Sequence, residues 1–139
     1  MQTFLPYADF QQTASVLDYR RLGKQRVEAY QILRILTNAT NTKGWRNHPA
    51  VLMWTGYAPA LAEYGRVVCL EWTSRGYKDT LLPNFEQHAS LNDIPYWLGD
   101  ERLHISHQSN LIRKDAEFYA PKFPNVPNDL PYYWAVKKG

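Results

Sequence analysis

The feature that most constrains the fold lies between Tyr57 and Trp72, where Tyr57, Leu61, Tyr64, Val68 and Trp72 recur at steps of four and three. Ala60 and Val67 widen the same flank, and a stripe of this width is the buried face of an amphipathic helix. The spacing predicts a helix through about Ser74. Pro59 suits its first turn, where a missing N–H leaves nothing unpaired, and Gly76 suits its end. Gly65 in the middle costs about 1 kcal/mol relative to alanine unless another backbone packs closely there. Cys69, the only cysteine, falls inside this helix and reads as an inert core residue, the alternative being a catalytic thiol. A lone cysteine also excludes an internal disulfide and a cysteine-based zinc knuckle.

A second amphipathic pattern runs from Leu22 to Leu36, with Leu22, Ala29, Tyr30, Leu33 and Leu36 on one side. Arg20, Arg21, Lys24, Gln25, Glu28 and Gln31 read as its polar side, and the TNATNTKG stretch ends it near Thr37. HPAVLMWTG, bounded by Pro49 and Gly56, is long enough for one or two buried helical turns. The chain reads as loop from Lys78 to Asp100, where prolines, asparagines and Gly99 interrupt any period. Glu101 to Lys114 forms a further helix, whose polar content points to a functional face. Beyond Tyr119, Pro121, Pro124, Pro127 and Pro131 alternate with Phe123, Tyr132, Tyr133 and Trp134, an extended tail packed by aromatics and barred from helix.

Charge is unevenly spread. Leu17 to Asn47 holds seven basic residues against two acidic ones, although the whole chain carries only +3, so the remainder is net negative. A local positive field of this kind favours polyanions, nucleic acid first among them, the alternative being a solvated helix face. MQTFLPYADFQQ lacks a basic start followed by an apolar run, and no segment has the roughly 18 apolar residues that span a membrane. A cytoplasmic protein with no membrane contact is expected, nucleoid-associated if bacterial.

Generic catalytic signatures are missing: there is no GxSxG elbow, Walker loop or GxGxxG. His104 and His107, three apart, would share a helix face, but no carboxylate sits in register and His48 and His88 are distant in sequence. No metal and no cofactor is expected. Trp45, Arg46, Asn47 and His48 form an aromatic, basic and polar cluster suited to base stacking and phosphate contact. His104, His107, Gln108, Asn110, Arg113 and Lys114 are further candidates for sugar and phosphate contact, the histidines alternatively stabilising the loop before their helix.

Four blocks, LDYRRLGKQRVEAYQIL, KGWRNHPAVLMWTGY, EWTSRGYKDT and DIPYWLGDERLHISHQSNLIRKDAEFY, stand in an order that resembles the pyrimidine-dimer DNA glycosylase/AP lyase family of the phage endonuclease V type. LGKQRVEA and the SHQ-S-x-L-x-RKD pattern are similar to a bacterial branch related to those enzymes. The resemblance implies an all-helical domain acting on damaged duplex DNA. It also implies a chain α-amine that attacks C1′ of the damaged nucleotide's sugar, and a helix glutamate that assists the sugar chemistry. An α-amine ordinarily titrates at about 7.7–8.0, so part of it is an unprotonated nucleophile near neutral pH.

Two departures stand out. The family's Y-R-E-L segment matches Tyr19-Arg20-Arg21-Leu22, which places Arg21 where the family has its glutamate. Glu28 is either a relocated acid or the partner of Lys24 in an ordinary surface pair. Bulky Gln2, where phage members expose a small residue, disfavours removal of Met1. Glu28, Met1 and Gln2 are thus the candidate catalytic positions, with Met1 supplying the nucleophile or the lyase step absent.

By the same resemblance Arg20, Lys24 and Arg26 face the DNA backbone, Arg21 beside them. Tyr132, Tyr133 and Trp134 resemble the family's damage-proximal aromatic segment or pack the core. The expectation is one all-α domain over residues 1–139, a helical bundle with long loops and an aromatic, proline-rich C-terminal tail. It would excise a damaged base and cleave the abasic sugar through an imine. The rival readings are a non-catalytic nucleic-acid-binding module on the same scaffold and an enzyme acting on another nucleic acid or a nucleotide.

Overall fold

The computed structural model describes residues 1–39 and 46–135, which form seven helices and, among these residues, no strand. They are α1 (Phe10–Val16), α2 (Tyr19–Leu36), α3 (Pro49–Trp54), α4 (Ala58–Ser74), α5 (Leu82–Glu86), α6 (Glu101–Lys114) and α7 (Ala116–Tyr119). None is long and apolar enough to cross a membrane. Trp45 of the aromatic, basic and polar cluster, and Lys43, one of the seven basic residues between Leu17 and Asn47, lie outside the described residues.

Helix starts follow local chemistry. Asp9, Asp18 and Asp100 cap α1, α2 and α6 by accepting backbone N–H groups of their first turns, and His48 does the same for α3 through Nδ1. The long α2 and α4 pack against each other at the centre. Their approach is close because α2 has Gly23 beneath the Trp72 ring of α4; a Cβ there would lie 2.8 Å from that ring. At Gly65 of α4, two turns before Trp72, a Cβ would overlap the Phe85 ring of α5. The close neighbour at Gly65 is therefore not the backbone expected there but a side chain, from a short helix inside the stretch read as loop.

Trp54 and Trp97 meet edge to face at 4.9 Å in the core. Each buried indole N–H finds an acceptor, Thr3 Oγ1 at 3.0 Å and the Met53 carbonyl at 2.9 Å. The tail from Pro121 to Ala135 is non-helical and lays Phe123 and Ala135 into the core. Cys69 is fully buried, and its thiol is pushed up to about 12 by burial and by neighbouring Asp79, so it is no thiolate at neutral pH.

The N-terminal segment decides where the site lies. Thr3, Phe4 and Leu5 are buried although they belong to no helix. Their backbone groups need partners from side chains, because an unpaired buried amide or carbonyl is costly. Those side chains come from α2, α4 and α6.

A candidate nucleic-acid site at the chain start

Gln25 of α2 makes four hydrogen bonds, two of them to the backbone of the chain start. Its Oε1 accepts from Phe4 N at 2.9 Å and lies 2.7 Å from the Tyr64 hydroxyl, which also reaches the Phe4 carbonyl at 2.8 Å. Its Nε2 donates to the Gln2 carbonyl at 3.0 Å and to Glu28 Oε2 at 2.9 Å. Assigned by type to the polar side of its helix, Gln25 is in fact 1% exposed.

α6 completes the clamp. His107 Nδ1 accepts from Leu5 N at 2.8 Å, His104 Nδ1 meets the Leu5 carbonyl at 2.7 Å, and Gln108 Nε2 donates to the Pro6 carbonyl at 2.7 Å. Because Gly99 N donates to His104 Nε2 at 3.0 Å, the His104 proton sits on Nδ1 and points at Leu5. His107 is neutral with its proton on Nε2, an atom that is buried and has no hydrogen-bond partner among the described residues, and its ring meets those of Phe4 and Tyr132 edge to face. Burial pushes its pKa down to about 3.

The polar residues in the middle of α6 thus face inward. His104 and His107, read either as DNA contacts or as stabilisers of the loop before their helix, are interior props: His104 accepts from Gly99 of that loop, and both hold the chain start. Asn110 is buried too and donates to the Ser106 and Leu130 carbonyls.

Held in this way, Met1 and Gln2 open into a cleft of about 800 Å³ formed against the first half of α2. Arg20, Arg21, Lys24, Arg75 and Lys114 bring positive charge to its wall, and Glu28, Asp18 and Asp115 bring three carboxylates. The pKa values of Glu28 and Asp18 are driven apart. Burial raises the Glu28 pKa above the ordinary carboxylate value, against the opposing pull of the Met1 α-amine, of Lys24, of the Gln2 amide and of Gln25. Burial also disfavours the charged form of Asp18, but hydrogen bonds from Tyr119 and Arg21 outweigh it and keep that carboxyl below its usual range. Two carboxylates held in opposite directions in one cleft suit one to carry a proton and the other to remain charged.

Lys24 reaches Glu28 only as one charge among several, while its hydrogen bonds come from Gln25 and Gln2. Arg21, at the expected glutamate position, pairs with Asp18 at 3.1 Å. The cleft also takes in Tyr132, whose hydroxyl hydrogen-bonds with the Gln2 side chain.

Other sequence candidates lie elsewhere. Arg26 is not available to a DNA backbone: its Nε and Nη2 lie 2.7 and 2.5 Å from Asp79 Oδ1, and its guanidinium covers the Trp72 ring. Arg46 and Asn47 are exposed before α3 and do not line the cleft; Arg46 hydrogen-bonds Asn38. His48 packs edge to face on Trp134. Burial and the charge of the Met1 amine lower its pKa. Arg113 hydrogen-bonds Asn110 and the Asn128 carbonyl, and Tyr133 lies under Arg102. Asp18, Tyr19, Arg75, Asp115 and Phe118 line the cleft without having been singled out. Asp18 carried a signal, since an Asp three residues before Arg21 at a helix start is a cap; Arg75 and Phe118 stand in the EWTSRGYKDT and RKDAEFY stretches that carry the family resemblance.

A family model of pyrimidine dimer DNA glycosylases matches residues 1–82, more than half of the chain. The chain belongs to the pyrimidine dimer DNA glycosylase family. The matched span contains Met1, Gln2, Gln25 and Glu28, the chain start and the helix that faces it. Neither the curated proteins nor the solved structures give a match to this chain.

Proposed function

We propose that this family member excises a damaged base, a pyrimidine dimer or related lesion, from duplex DNA and then cleaves the abasic sugar as an AP lyase. The nucleophile is the Met1 α-amine, and Glu28 is the acid and base beside it. One observation carries the reading. A single glutamine, Gln25, joins the Gln2 carbonyl to Glu28 Oε2, so the chain start and a partly buried carboxyl are held together in a cleft lined by cations.

The chemistry follows from that arrangement. The amine nitrogen attacks C1′ as the glycosidic bond breaks, and the bonding pair leaves with the base, which takes up a proton. Loss of the amine's proton and opening of the sugar ring leave an imine, with the ring oxygen protonated. Removal of a C2′ proton then expels the 3′ phosphate by β-elimination. Glu28, with its raised pKa, is suited to carry protons in these steps. Arg20, Arg21, Lys24 and Lys114 would hold phosphates, and the target nucleotide must leave the stack to reach the amine.

Borohydride trapping on duplexes containing an abasic site or a thymine dimer tests this. An adduct mapped by mass to Met1 is expected with both duplexes, and Glu28→Gln should retain binding while losing turnover. Salt-sensitive binding with no adduct on either duplex would favour the non-catalytic DNA-binding reading, for which Arg21 at the family's glutamate position is the specific support.

A further inference from the structure

Beside the cleft, three aromatic rings from different segments form a ladder. Trp72 of α4 and Tyr77, which follows that helix, stack at 4.2 Å with planes 21° apart, and Tyr77 continues to Tyr19 of α2 at 6.4 Å and again 21°. The inner step is closed and anchored. Trp72 Nε1 donates to the Lys78 carbonyl at 2.9 Å, Gly23 lies under its ring, and Arg26, held by Asp79, covers it at 5.0 Å.

The outer step is wider and open to solvent, with Tyr19 50% and Tyr77 41% exposed. It also adjoins the cleft, because Tyr19 and Arg20 are part of the cleft wall. Arg20 lies over the Tyr19 ring at 5.6 Å and its Nε donates to the Tyr19 hydroxyl at 2.9 Å. Exposed rings lying nearly parallel, continuous with a rigid indole and flanked by cations, present what a nucleobase on a phosphate backbone needs: a π-face and a positive field.

We propose that the Tyr19–Tyr77 step receives an unpaired nucleobase of the DNA strand held in the cleft, extending the stack that Trp72 and Tyr77 begin. This rests on the DNA reading above and adds a stacking subsite to it. The subsite takes any base, because stacking reads the ring face rather than the hydrogen-bonding edge.

The test uses the full chain and two duplexes, one fully paired and one with an extrahelical 2-aminopurine. Binding should quench the 2-aminopurine emission. Tyr77→Ala should weaken binding to the bulged duplex about tenfold and relieve the quench, while changing affinity for the paired duplex by about twofold at most. Tyr77→Phe should behave as wild type. If Tyr77→Ala does not fold, Tyr77→Leu replaces it, keeping an apolar contact on Trp72 without a π-face. Wild-type affinity and quench in the alanine or leucine variants would overturn the subsite while leaving the cleft's DNA reading intact. Failure of the wild-type protein to bind either duplex would overturn both.

Discussion

Two polar regions of this molecule use similar side chains to opposite ends. On α6, His104, His107 and Gln108 are turned inward and hold the backbone of residues 5 and 6. On the first half of α2, Glu28, Lys24, Arg20 and Arg21 line an open cleft, with Glu28 retained as a carboxyl of raised pKa beside the chain start. The difference teaches that polarity alone does not mark a site. What matters is whether the fold itself takes up the hydrogen bonds. The two regions are also linked, since the spent one positions the available one: α6 grips residues 5 and 6, and residues 1 and 2 are thereby delivered to Glu28.

The largest test of that comparison is Glu28→Gln. Loss of a proton carrier is expected to lower the single-turnover rate of imine formation about 10²–10⁴-fold, with DNA affinity and melting temperature nearly unchanged. A variant that keeps full turnover would move Glu28 into the structural class with α6. His107→Ala should behave in the reverse sense. It strands the Leu5 N–H and opens a cavity, costing roughly 3–5 kcal/mol in denaturant unfolding. Trapping at Met1 should fall with it, while His107→Asn, which can still accept from Leu5, should recover part of both.

Arg26→Ala sharpens the contrast within α2. Removing the partner of buried Asp79 should cost about 3 kcal/mol of stability yet leave the salt dependence of DNA binding unchanged. Acid titration reads the same distinction without mutation. His107 titrates near 3 in the folded chain against an ordinary value near 6.5, so between these pH values the unfolded chain binds a proton that the folded one refuses. Stability should therefore fall as pH drops through that window, on the order of a few kcal/mol, and His107→Asn should flatten the slope. The smallest effect is expected for Lys24→Ala: a modest loss of affinity, with the slope of log affinity against log salt reduced by about one.

Much of the scaffold was legible in the sequence. The apolar steps from Tyr57 to Trp72 and from Leu22 to Leu36, the Glu101–Lys114 helix and the proline-bound tail all stand where periodicity and proline geometry put them. The short helices α1, α5 and α7, of seven, five and four residues, span too few turns to show a period. The misassignments share one cause, which is judging a face by residue type. Gln25 was placed with the polar residues, although the steps from Leu22 through 25 to Ala29 and Ile32 put it on the buried stripe. His107 likewise shares the stripe of Leu103 and Leu111.

What the sequence determined by itself was the helices α2, α4 and α6, the concentration of positive charge along α2 and the family resemblance of its sequence blocks, because each rests on local spacing or composition. What only the tertiary structure decided was which polar groups stay free. Arg26 met Asp79, 53 residues away, and His107 met Leu5, 102 residues away. The partner that satisfies a hydrogen bond can lie anywhere in the chain, so no local pattern records it; the chain start lies beside α2 because distant partners hold it there.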